Sequence, residues 1–471
     1  MLQTIDYAIM IVYIIVLVLV GLSAFRAKQE NAEDYLVAGR SLNLPMLVAV
    51  VATVAIGGGV TMGTSELSYQ YGFSALWRGG AVALSIFLLA SLLSTKLSKM
   101  RLFTTNEVIG VFYGKYARLL GAIVSFVYLA LMCVLQIVSV GNVVSAVTSM
   151  SYELSLIVAT VIIMAYLILG GMLAATRTDT FQFVIMTVGI IFLATFFSMK
   201  GVGGPGNLAQ MVPAEYFKPM NMGGSRILAN VLAFLPGFMI GQDIWQRCFT
   251  AKNARVQKTG IRLAGIYILI YSICAVLLGV ALYAVNQDVA ITSQVFSLAV
   301  VTFLPAGLRG LVLIALMAAI VSSANGAVLG AAATLYTDII TPFTKKEFSG
   351  KQQIMTLRII SAVVIVASAL LALFMRSIVA VMDVAYAYLT GCLFIPMVFG
   401  ILLKRCSARS GLFSILISFV AVTAFLVKDG ITANSPIIAG MIVSAVVFFG
   451  VRFFDKDKKE IVLESAETKS E

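Results

Sequence analysis

The chain has 471 residues, of which 61% are hydrophobic and only 11% are charged. Soluble globular proteins carry about 25% charged residues, so this composition excludes a soluble domain and indicates a polytopic membrane protein. The apolar runs are about 18–25 residues long, the length of membrane-spanning helices rather than of alternating barrel strands. Histidine is absent, which excludes histidine-ligated metals, histidine bases and histidine proton relays.

The net charge of +12 would suggest a nucleic-acid partner in a soluble domain. Here Lys and Arg lie mostly in short loops between apolar runs, so they indicate orientation in the membrane, with lipid rather than nucleic acid as the surroundings. The five cysteines form no CxxC pair, and we expect neither a disulfide framework nor a metal site from them. The first apolar run, Tyr7–Phe25, exceeds a signal-peptide core and lacks a cleavage site, so we predict a span.

The apolar runs predict thirteen spans. Their ranges are 6–25, 44–71, 74–97, 119–149, 153–174, 180–199, 227–248, 262–285, 309–340, 357–375, 379–403, 411–427 and 434–453. Basic residues concentrate in the loops of one side, which the positive-inside rule assigns to the cytoplasm. An odd number of spans then places the N-terminus outside and the C-terminus inside a plasma-membrane protein.

The second span contains three consecutive glycines, Gly57, Gly58 and Gly59. Each costs roughly 1 kcal/mol relative to alanine in a helix interior, so the triplet predicts an interruption of the helix at membrane depth. Interrupted backbone is tolerated there only where it packs in protein or lines a polar cavity. Its freed carbonyls are then available to a cation.

A second interrupted span opens the other half of the chain, with Pro236, Gly237 and Gly241 inside span 7. Paired interrupted spans indicate an inverted-repeat transporter with its site at the midplane, although Gly and Pro are common in membrane helices in any case. The predicted units are an N-terminal span and loop (1–43), a core of two inverted five-helix repeats (44–200 and 227–403), two further spans (404–454) and a charged, disordered tail (455–471).

The ninth span carries a polar face. Ala319, Ser322 and Ser323 lie at positions i, i+3 and i+4 and therefore share one side of the helix. Two hydroxyls and a carbonyl form a neutral oxygen cluster of the kind that hard cations prefer, and Thr53 and Ile56 could supply further carbonyls. The alternative interpretation is that the serines bond to their own helix or hold helices together.

Seven motifs occur in order between Tyr35 and Leu412. They are LVAGRSLNLP (36–45), GGGVTMGTSELSYQYG (57–72), FTTNEVIGVFYGKYAR (103–118), LGGMLAATRTDTFQF (169–183), GQDIWQRCFTAKNAR (241–255), SSANG (322–326) and LLKRCSARSGL (402–412). In this order and spacing they resemble the sodium:solute symporter family, which includes proline, sugar, sialic acid and choline transporters. The glycine-rich motif is most similar to the choline-transporter branch.

The resemblance implies an all-α, LeuT-like fold of about thirteen transmembrane helices, with a five-plus-five inverted repeat and two discontinuous helices. It implies sodium-coupled symport of a small organic solute into the cell by alternating access, with no organic cofactor and no enzymatic activity. The main sodium site would take carbonyls of Thr53, Ile56 and Ala319 and hydroxyls of Ser322 and Ser323. A proton-coupled or other-solute carrier of the same fold, and a channel, are the alternatives.

For a second sodium site the resemblance points to Asp179 and Asn325. Asp179 matches the family's aspartate, but Asn325 and Gly326 stand where hydroxyls belong in the family pattern, and Gly326 has no side chain to offer. Asp179 is equally interpreted as an acid at the membrane edge that pairs with Arg177. The sequence therefore argues against a strong second site.

Solute is expected beside the interrupted helices. The candidate residues are Gly57, Gly58, Gly59, Thr61, Arg78, Phe234, Phe238 and Asp383. An ionisable side chain within a span is a functional candidate by default, but Asp383 could instead pair with Arg376, and Arg78 could extend to the membrane surface. Both charges together suit an amino-acid-like zwitterion, and Arg78 alone suits a carboxylate. Ala55 stands where the choline branch has tryptophan, which argues against choline.

Overall fold

A computed structural model describes residues 2–25, 32–100, 102–148, 150–344, 348–403, 405–457 and 459–460. These residues are almost entirely helical, which confirms the predicted all-α membrane fold. Within them, ten helical segments are long and apolar enough to cross a membrane, judged by length and composition. The count of thirteen spans stays a prediction. Most of the predicted tail, 461–471, lies outside the described residues.

The helices of the first third of the chain are α1 (Thr4–Phe25), α2 (Ala32–Val37), α3 (Leu44–Tyr71), α4 (Leu76–Leu88), α5 (Ser94–Met100), α6 (Thr105–Tyr113) and α7 (Lys115–Thr148). Those of the middle third are α8 (Tyr152–Met186), α9 (Thr195–Gly201), α10 (Pro205–Met211), α11 (Gly224–Ile240), α12 (Gln242–Cys248), α13 (Ala254–Val285) and α14 (Val295–Phe303). The last third has α15 (Leu308–Ala333), α16 (Thr341–Phe343), α17 (Gly350–Ala372), α18 (Ile378–Leu402), α19 (Ala408–Asp429) and α20 (Ser435–Phe454). Two short strands, β1 (Arg405–Cys406) and β2 (Lys459–Glu460), pair antiparallel.

Shorter helical turns connect these elements. Three have π geometry and continue α4, α8 and α15, namely Leu89–Leu93, Thr187–Ala194 and Thr334–Ile340. Four have 3₁₀ geometry, namely Ala38–Arg40, Gly72–Ala75, Ala214–Phe217 and Thr292–Gln294. Helices α6, α10 and α14 lie between the predicted spans, in segments too short or too polar to cross a membrane.

Helix α8 corrects one predicted boundary. Spans 153–174 and 180–199 were expected on either side of a loop, but α8 runs through this region and is kinked at Gly171, where φ is 57° and ψ is −157°. This φ is accessible to glycine without a side-chain clash. Arg177 and Asp179 therefore lie within a helix rather than in a loop.

The centre of the fold is the contact between α3 and α15. Helix α15 is buried continuously from Val312 to Ala333, as expected of a helix that is apolar all round and lies inside a large bundle. Helices α3, α7 and α8 pack around it, and α13 packs along the other side of α3. The outer helices expose large apolar side chains such as Val446 on α20, which suit contact with lipid.

Helix α15 runs between two opposite faces of the molecule. At its start the Asp6 carboxylate accepts hydrogen bonds from the backbone N–H groups of Gly307 and Gly310, at 2.7 and 3.0 Å. We call this side, which also carries the segment 201–226, the loop face. At the other end Asp338 pairs with Arg118 at 2.8 Å, and we call this side the basic face.

Candidate functional site

The interruption of α3 is confined to one residue. Gly57 has φ 25° and ψ −175°, whereas Gly58 and Gly59 continue the helix. The Gly58 N–H, which in a regular helix would donate to the carbonyl of Val54, donates instead to Gln136 Oε1 at 3.0 Å. The interruption is therefore present where the glycine triplet predicts it, but it is shorter than the triplet.

Ser323 of α15 lies directly against this interruption. Its hydroxyl donates to the carbonyl of Val54 at 2.8 Å and to that of Thr53 at 3.3 Å. A Cβ at Gly57 would lie 2.6 Å from Ser323 Oγ, so only glycine allows this approach. The structure thus brings the carbonyls before the break and a hydroxyl of α15 into contact.

The neighbouring oxygens are buried and only partly used. Ser322 Oγ is buried and has no hydrogen-bond partner within the described ranges. The Thr53 hydroxyl donates to the carbonyl of Ala49 at 2.9 Å and so turns back on its own helix. It is the Thr53 carbonyl that faces Ser323. Ile56 immediately precedes the break, and Ala319 is fully buried one turn before Ser323. This oxygen-rich, neutral surrounding suits a small hard cation.

The second interruption lies at Gly241, between α11 and α12, where φ is −58° and ψ is 129°. The helix passes Pro236 and Gly237 without a break, so the interruption falls at the last of the three predicted positions. Trp245 supports the junction, because its Nε1 donates to the carbonyl of Met239 at 2.8 Å.

Side chains of α18 fill the space between the two interruptions. The Met382 sulfur lies against Gly59, and the Tyr386 ring lies against Gly237. Phe238 stacks on Tyr386 with ring centroids 5.3 Å apart. Gly59 and Phe238 are therefore covered by α18, whereas Gly57 is packed against Ser323 and Gly58 against Ser139 of α7.

The two remaining solute candidates, Phe234 and Thr61, point in different directions. Phe234 meets Tyr386 edge-on at 5.0 Å, on the side toward the loop face. The Thr61 hydroxyl lies 3.0 Å from the Tyr271 hydroxyl of α13 and so points away from α18. The structure therefore separates Thr61 from the other solute candidates.

A cavity of about 210 Å³ lies above these aromatic rings and reaches the loop face between α18 and the α19–α20 connection. Its lining includes four polar side chains from four different helices, namely Glu66, Arg78, Asn230 and Asp383. Two of them, Arg78 and Asp383, are sequence-predicted solute residues. Side chains from four helices thus place two carboxylates, an amide and a guanidinium around one small cavity.

Arg78 is the most constrained of these side chains, at 1% exposure. Its Nε donates to Asn230 Oδ1 at 2.9 Å, and its guanidinium carbon lies 4.8 Å from the centroid of the Phe234 ring. Its Nη2 is 3.6 Å from Asp383 Oδ1, which is longer than a direct hydrogen bond. A Cβ at Gly63 would lie 2.9 Å from Nη1, so this glycine makes room for the guanidinium.

Asp383 differs from Arg78 in being 35% exposed and open to the cavity. Its partner is Arg78 rather than Arg376, which pairs instead with Glu153 at 3.2 Å. Arg78 does not extend to the surface. The structure therefore contradicts the pairing of Asp383 with Arg376 and the extension of Arg78 to the membrane surface.

The candidate second sodium residues form a different arrangement. The Asp179 carboxylate contacts Arg247 Nη2 at 3.1 Å and accepts from Asn325 Nδ2 at 3.3 Å, and all three side chains are buried. Arg247 also contacts the sulfur of Met172. A guanidinium already neutralises Asp179, and its partner is Arg247 rather than the predicted Arg177.

The basic face is closed by a second buried carboxylate. Asp338 accepts hydrogen bonds from Arg118 Nε at 2.8 Å, Thr104 Oγ1 at 3.0 Å and Asn106 Nδ2 at 3.0 Å. Gln242, at the start of α12, reaches the backbone N–H of Thr105 at 2.7 Å. These bonds join α6, α7, α12 and the end of α15, and they hold these four elements together at the basic face.

Several contributors were not singled out from the sequence, namely Glu66, Gln136, Asn230, Asp338 and Tyr386. A polar residue in an apolar run was the available signal for Gln136 and Asn230. Nothing local marks Tyr386, because its role depends on which helix faces it.

Residues 35–418 match the sequence pattern of the sodium:solute symporter family. The chain belongs to this family. The symporter is 26% identical over 385 residues to the osmoregulated proline transporter of Bacillus subtilis, covering 77% of this chain and 76% of the relative. It is 25% identical over 437 residues to the sodium/proline symporter of Escherichia coli, covering 87% and 86%. It is 24% identical over 376 residues to the sodium/glucose cotransporter of Vibrio parahaemolyticus, covering 71% and 68%.

Solved structures show the same fold. A sodium-coupled sialic acid symporter in an outward-open state superposes with a TM-score of 0.84 at 20% identity, covering 98% of this chain and 99% of that one. A nucleobase-cation-symport-1 family transporter in a closed conformation gives a TM-score of 0.55 at 14% identity, covering 94% and 98%. The symporter is thus a multi-pass, sodium-coupled carrier of a small solute and not an enzyme, which confirms the predicted class and sodium as coupling ion.

Proposed function

We propose that this symporter carries one sodium ion together with a small amino-acid-like zwitterion into the cell. The observation that carries the sodium part is the contact between Ser323 and the carbonyls before the Gly57 break. The observation that carries the solute part is the shared cavity of Arg78 and Asp383.

The proposed sodium ligands are the carbonyls of Thr53, Ile56 and Ala319 and the hydroxyls of Ser322 and Ser323. All five ligands are uncharged oxygens, so the bound ion would carry the positive charge of the site. The buried Ser322 hydroxyl supports the assignment: it forms no hydrogen bond of normal geometry within the described ranges and lies near the Asp179 carboxylate, so its oxygen lone pairs are open to a cation. Bound sodium would link α3 to α15 across the interruption.

A single sodium ion is proposed because Asp179 is already engaged. Both of its carboxylate oxygens have partners, one on Arg247 and one on Asn325. The Asn325 group directed at Asp179 is a donor and not a cation ligand. A second sodium would have to displace a buried guanidinium.

The solute assignment follows from the charges in the cavity. A carboxylate would bind Arg78, which forms only one normal hydrogen bond to a side chain, and an ammonium group would bind Asp383. Phe234 forms the floor under the guanidinium. Two relatives named as proline transporters support a zwitterion over a simple carboxylate. Gly59 and Phe238 would join the site once Met382 and Tyr386 move, and the backbone of Gly57 and Gly58 would border it from α3.

We also propose that the loop face is extracellular at the plasma membrane, with the N-terminus outside and the C-terminus in the cytoplasm. Asp6 lies at the loop face, whereas β2 near the C-terminus pairs with β1 in the loop between α18 and α19. Basic residues of the segment 252–258, which includes the first turn of α13, lie at the other end of α12 from the cavity, as the positive-inside rule requires. The repeats 44–200 and 227–403 would rock about the two interruptions.

The proposed cycle couples the two ligands. Sodium linking α3 to α15 would hold the cavity open to the loop face and raise solute affinity, and solute would raise sodium affinity by the same factor. Breaking the Asp338 bonds would then open the basic face. Inward movement of one positive charge supplies about 2.3 kcal/mol per 100 mV of membrane potential.

The test is uptake of labelled amino acids into proteoliposomes under an imposed sodium gradient. In the Ser322→Ala/Ser323→Ala double variant, sodium-dependent uptake should vanish while insertion is retained. The control is Ser414→Ala/Ser444→Ala, which removes a serine pair joining α19 and α20 away from the site. Unchanged sodium dependence in the Ser322/Ser323 variant, or uptake driven equally by a proton gradient, would contradict the proposal.

A further inference from the structure

The solute cavity contains a second carboxylate besides Asp383. Glu66 lies on α3, between the Gly57 break and the loop face, and lines the same cavity as Arg78. Its Oε1 accepts a hydrogen bond from the Thr292 hydroxyl at 2.7 Å. Its Oε2 is buried and has no hydrogen-bond partner in the described part of the chain. One oxygen of Glu66 is therefore held in place and the other is unused.

An unused buried carboxylate oxygen calls for a donor, because leaving a buried polar atom unpaired is unfavourable. Arg78 lies within electrostatic range of both Glu66 and Asp383. Its guanidinium nevertheless donates to Asn230 and forms no hydrogen bond to Glu66 among those of the described residues. Arg226, which also lines the cavity, donates to the Tyr71 hydroxyl, so Glu66 Oε2 is open to a donor that enters the cavity.

The Arg78 guanidinium has unused N–H donors that could bind an acceptor in the cavity. Arg78 is 1% exposed, and its Nη1 contacts only the Met382 sulfur, at 4.0 Å, among the side chains within the described ranges. A buried guanidinium with unused N–H groups binds a carboxylate well. The cavity thus offers an anion-binding position and a cation-binding position within a volume of about 210 Å³.

We infer that Glu66 is a specificity-determining residue that binds the ammonium group of the solute together with Asp383, while Arg78 binds the solute carboxylate. This inference rests on the proposed function, because it assumes an amino-acid-like solute. It adds that the site selects for the amine: a zwitterion meets the two acids and the two guanidinium groups of Arg78 and Arg226, whereas a carboxylate without an amine leaves Glu66 unpartnered.

The experiment uses purified full-length symporter in saturating NaCl and measures probe affinity by isothermal titration. The probes are three amino acids with the matched acids that lack the amine: glycine and acetate, L-alanine and propionate, L-proline and cyclopentanecarboxylate. The variant is Glu66→Gln, which keeps the shape and removes the charge. Glu153→Gln is the matched control, because Glu153 is 58% exposed and pairs with Arg376 outside the cavity.

The wild type should bind at least one amino acid and bind its amine-free partner far more weakly. In Glu66→Gln the amino-acid affinity should fall about tenfold or more, the loss expected for one charge-assisted hydrogen bond. The amine-free acid should bind at least as well as before, so that selectivity for the amine collapses. Glu153→Gln should keep the wild-type selectivity.

Unchanged selectivity in Glu66→Gln would overturn the inference, as would a change confined to sodium affinity. If Glu66→Gln does not fold, Thr292→Val provides the second measurement, since it frees Glu66 Oε1 and keeps the carboxylate. Weaker amine selectivity in Thr292→Val supports the inference, because Thr292 holds the carboxylate in place, and wild-type selectivity overturns it. If no probe binds the wild type in sodium, the proposed solute class itself fails, which is distinct from a wild type that binds an amino acid without needing Glu66.

Discussion

Replacing Gly57 by alanine adds one methyl group and should abolish sodium binding. An alanine at φ 25° is strained by about 1–3 kcal/mol. The new Cβ would also lie 2.6 Å from Ser323 Oγ and 2.9 Å from Ser323 Cβ, an overpacking that adds about 1–3 kcal/mol. The total of about 2–6 kcal/mol is relieved only if Ser323 moves away or α3 straightens. Either change removes the contact on which the sodium site depends.

The assay is thermal unfolding of the purified symporter in NaCl and in N-methylglucamine chloride of equal ionic strength. A sodium concentration 100 times the dissociation constant stabilises the wild type by about 2.7 kcal/mol. Gly57→Ala should be less stable in both salts and should lose the difference between them. The control is Gly80→Ala, because a Cβ at Gly80 on α4 meets nothing within 4 Å. A Gly57→Ala protein that keeps the full sodium-dependent shift would refute this account of the break.

Three further substitutions test other parts of the molecule. Arg78→Lys should weaken solute binding about tenfold or more in titrations, because an ammonium group does not reproduce the planar contacts of the guanidinium, and sodium affinity should stay unchanged. Asp338→Asn should loosen the basic face, so that buried Cys248 reacts faster with an impermeant maleimide added from that side, with Cys248→Ala as the blank. Arg247→Leu should destabilise the protein by about 3–5 kcal/mol, seen as a lower melting temperature, because it leaves Asp179 buried without a counter-ion, and adding Asp179→Asn should recover most of the loss.

Each of these expectations has a contrary result. Wild-type solute affinity in Arg78→Lys would mean that the guanidinium does not touch the solute. An unchanged labelling rate in Asp338→Asn would mean that other contacts keep the basic face closed. A double variant at Arg247 and Asp179 no more stable than Arg247→Leu would mean that the arginine acts through packing.

The sodium-site candidates were accessible from the sequence because their signals are local. The glycine triplet weakens one stretch of helix wherever that helix lies, and the spacing of Ser322 and Ser323 places both on adjoining positions of one face. Neither signal says that α3 and α15 meet. The need of a cation for further carbonyls suggests that pairing, the family resemblance implies it, and the structure shows Ser323 against Thr53 and Val54.

The charge pairs were not accessible in the same way, because each joins residues far apart in the chain. Asp179 was expected to pair with its neighbour Arg177 and instead contacts Arg247. Asp383 was expected to pair with Arg376 if it had no function and instead faces Arg78. Proximity in sequence is a poor guide here because a kinked α8 and an interrupted α11–α12 carry the side chains to other helices.

The solute candidates illustrate the same limit for side-chain direction. Thr61 follows the glycine break on α3, yet its hydroxyl bonds to Tyr271 on the side away from the cavity. Glu66, further along the same helix, faces the cavity. Which side of a buried helix faces the site depends on every neighbour around it, and an apolar helix such as α3 has no polar face to indicate the answer.

Equilibrium binding of radioactive sodium to the purified symporter tests the central claim most directly. We expect one sodium ion per molecule, bound by the wild type and by Ser414→Ala/Ser444→Ala, and no saturable binding in Ser322→Ala/Ser323→Ala. Saturable binding of equal affinity in the Ser322/Ser323 variant would contradict the account, because the break at Gly57 would then have no role in holding the coupling ion.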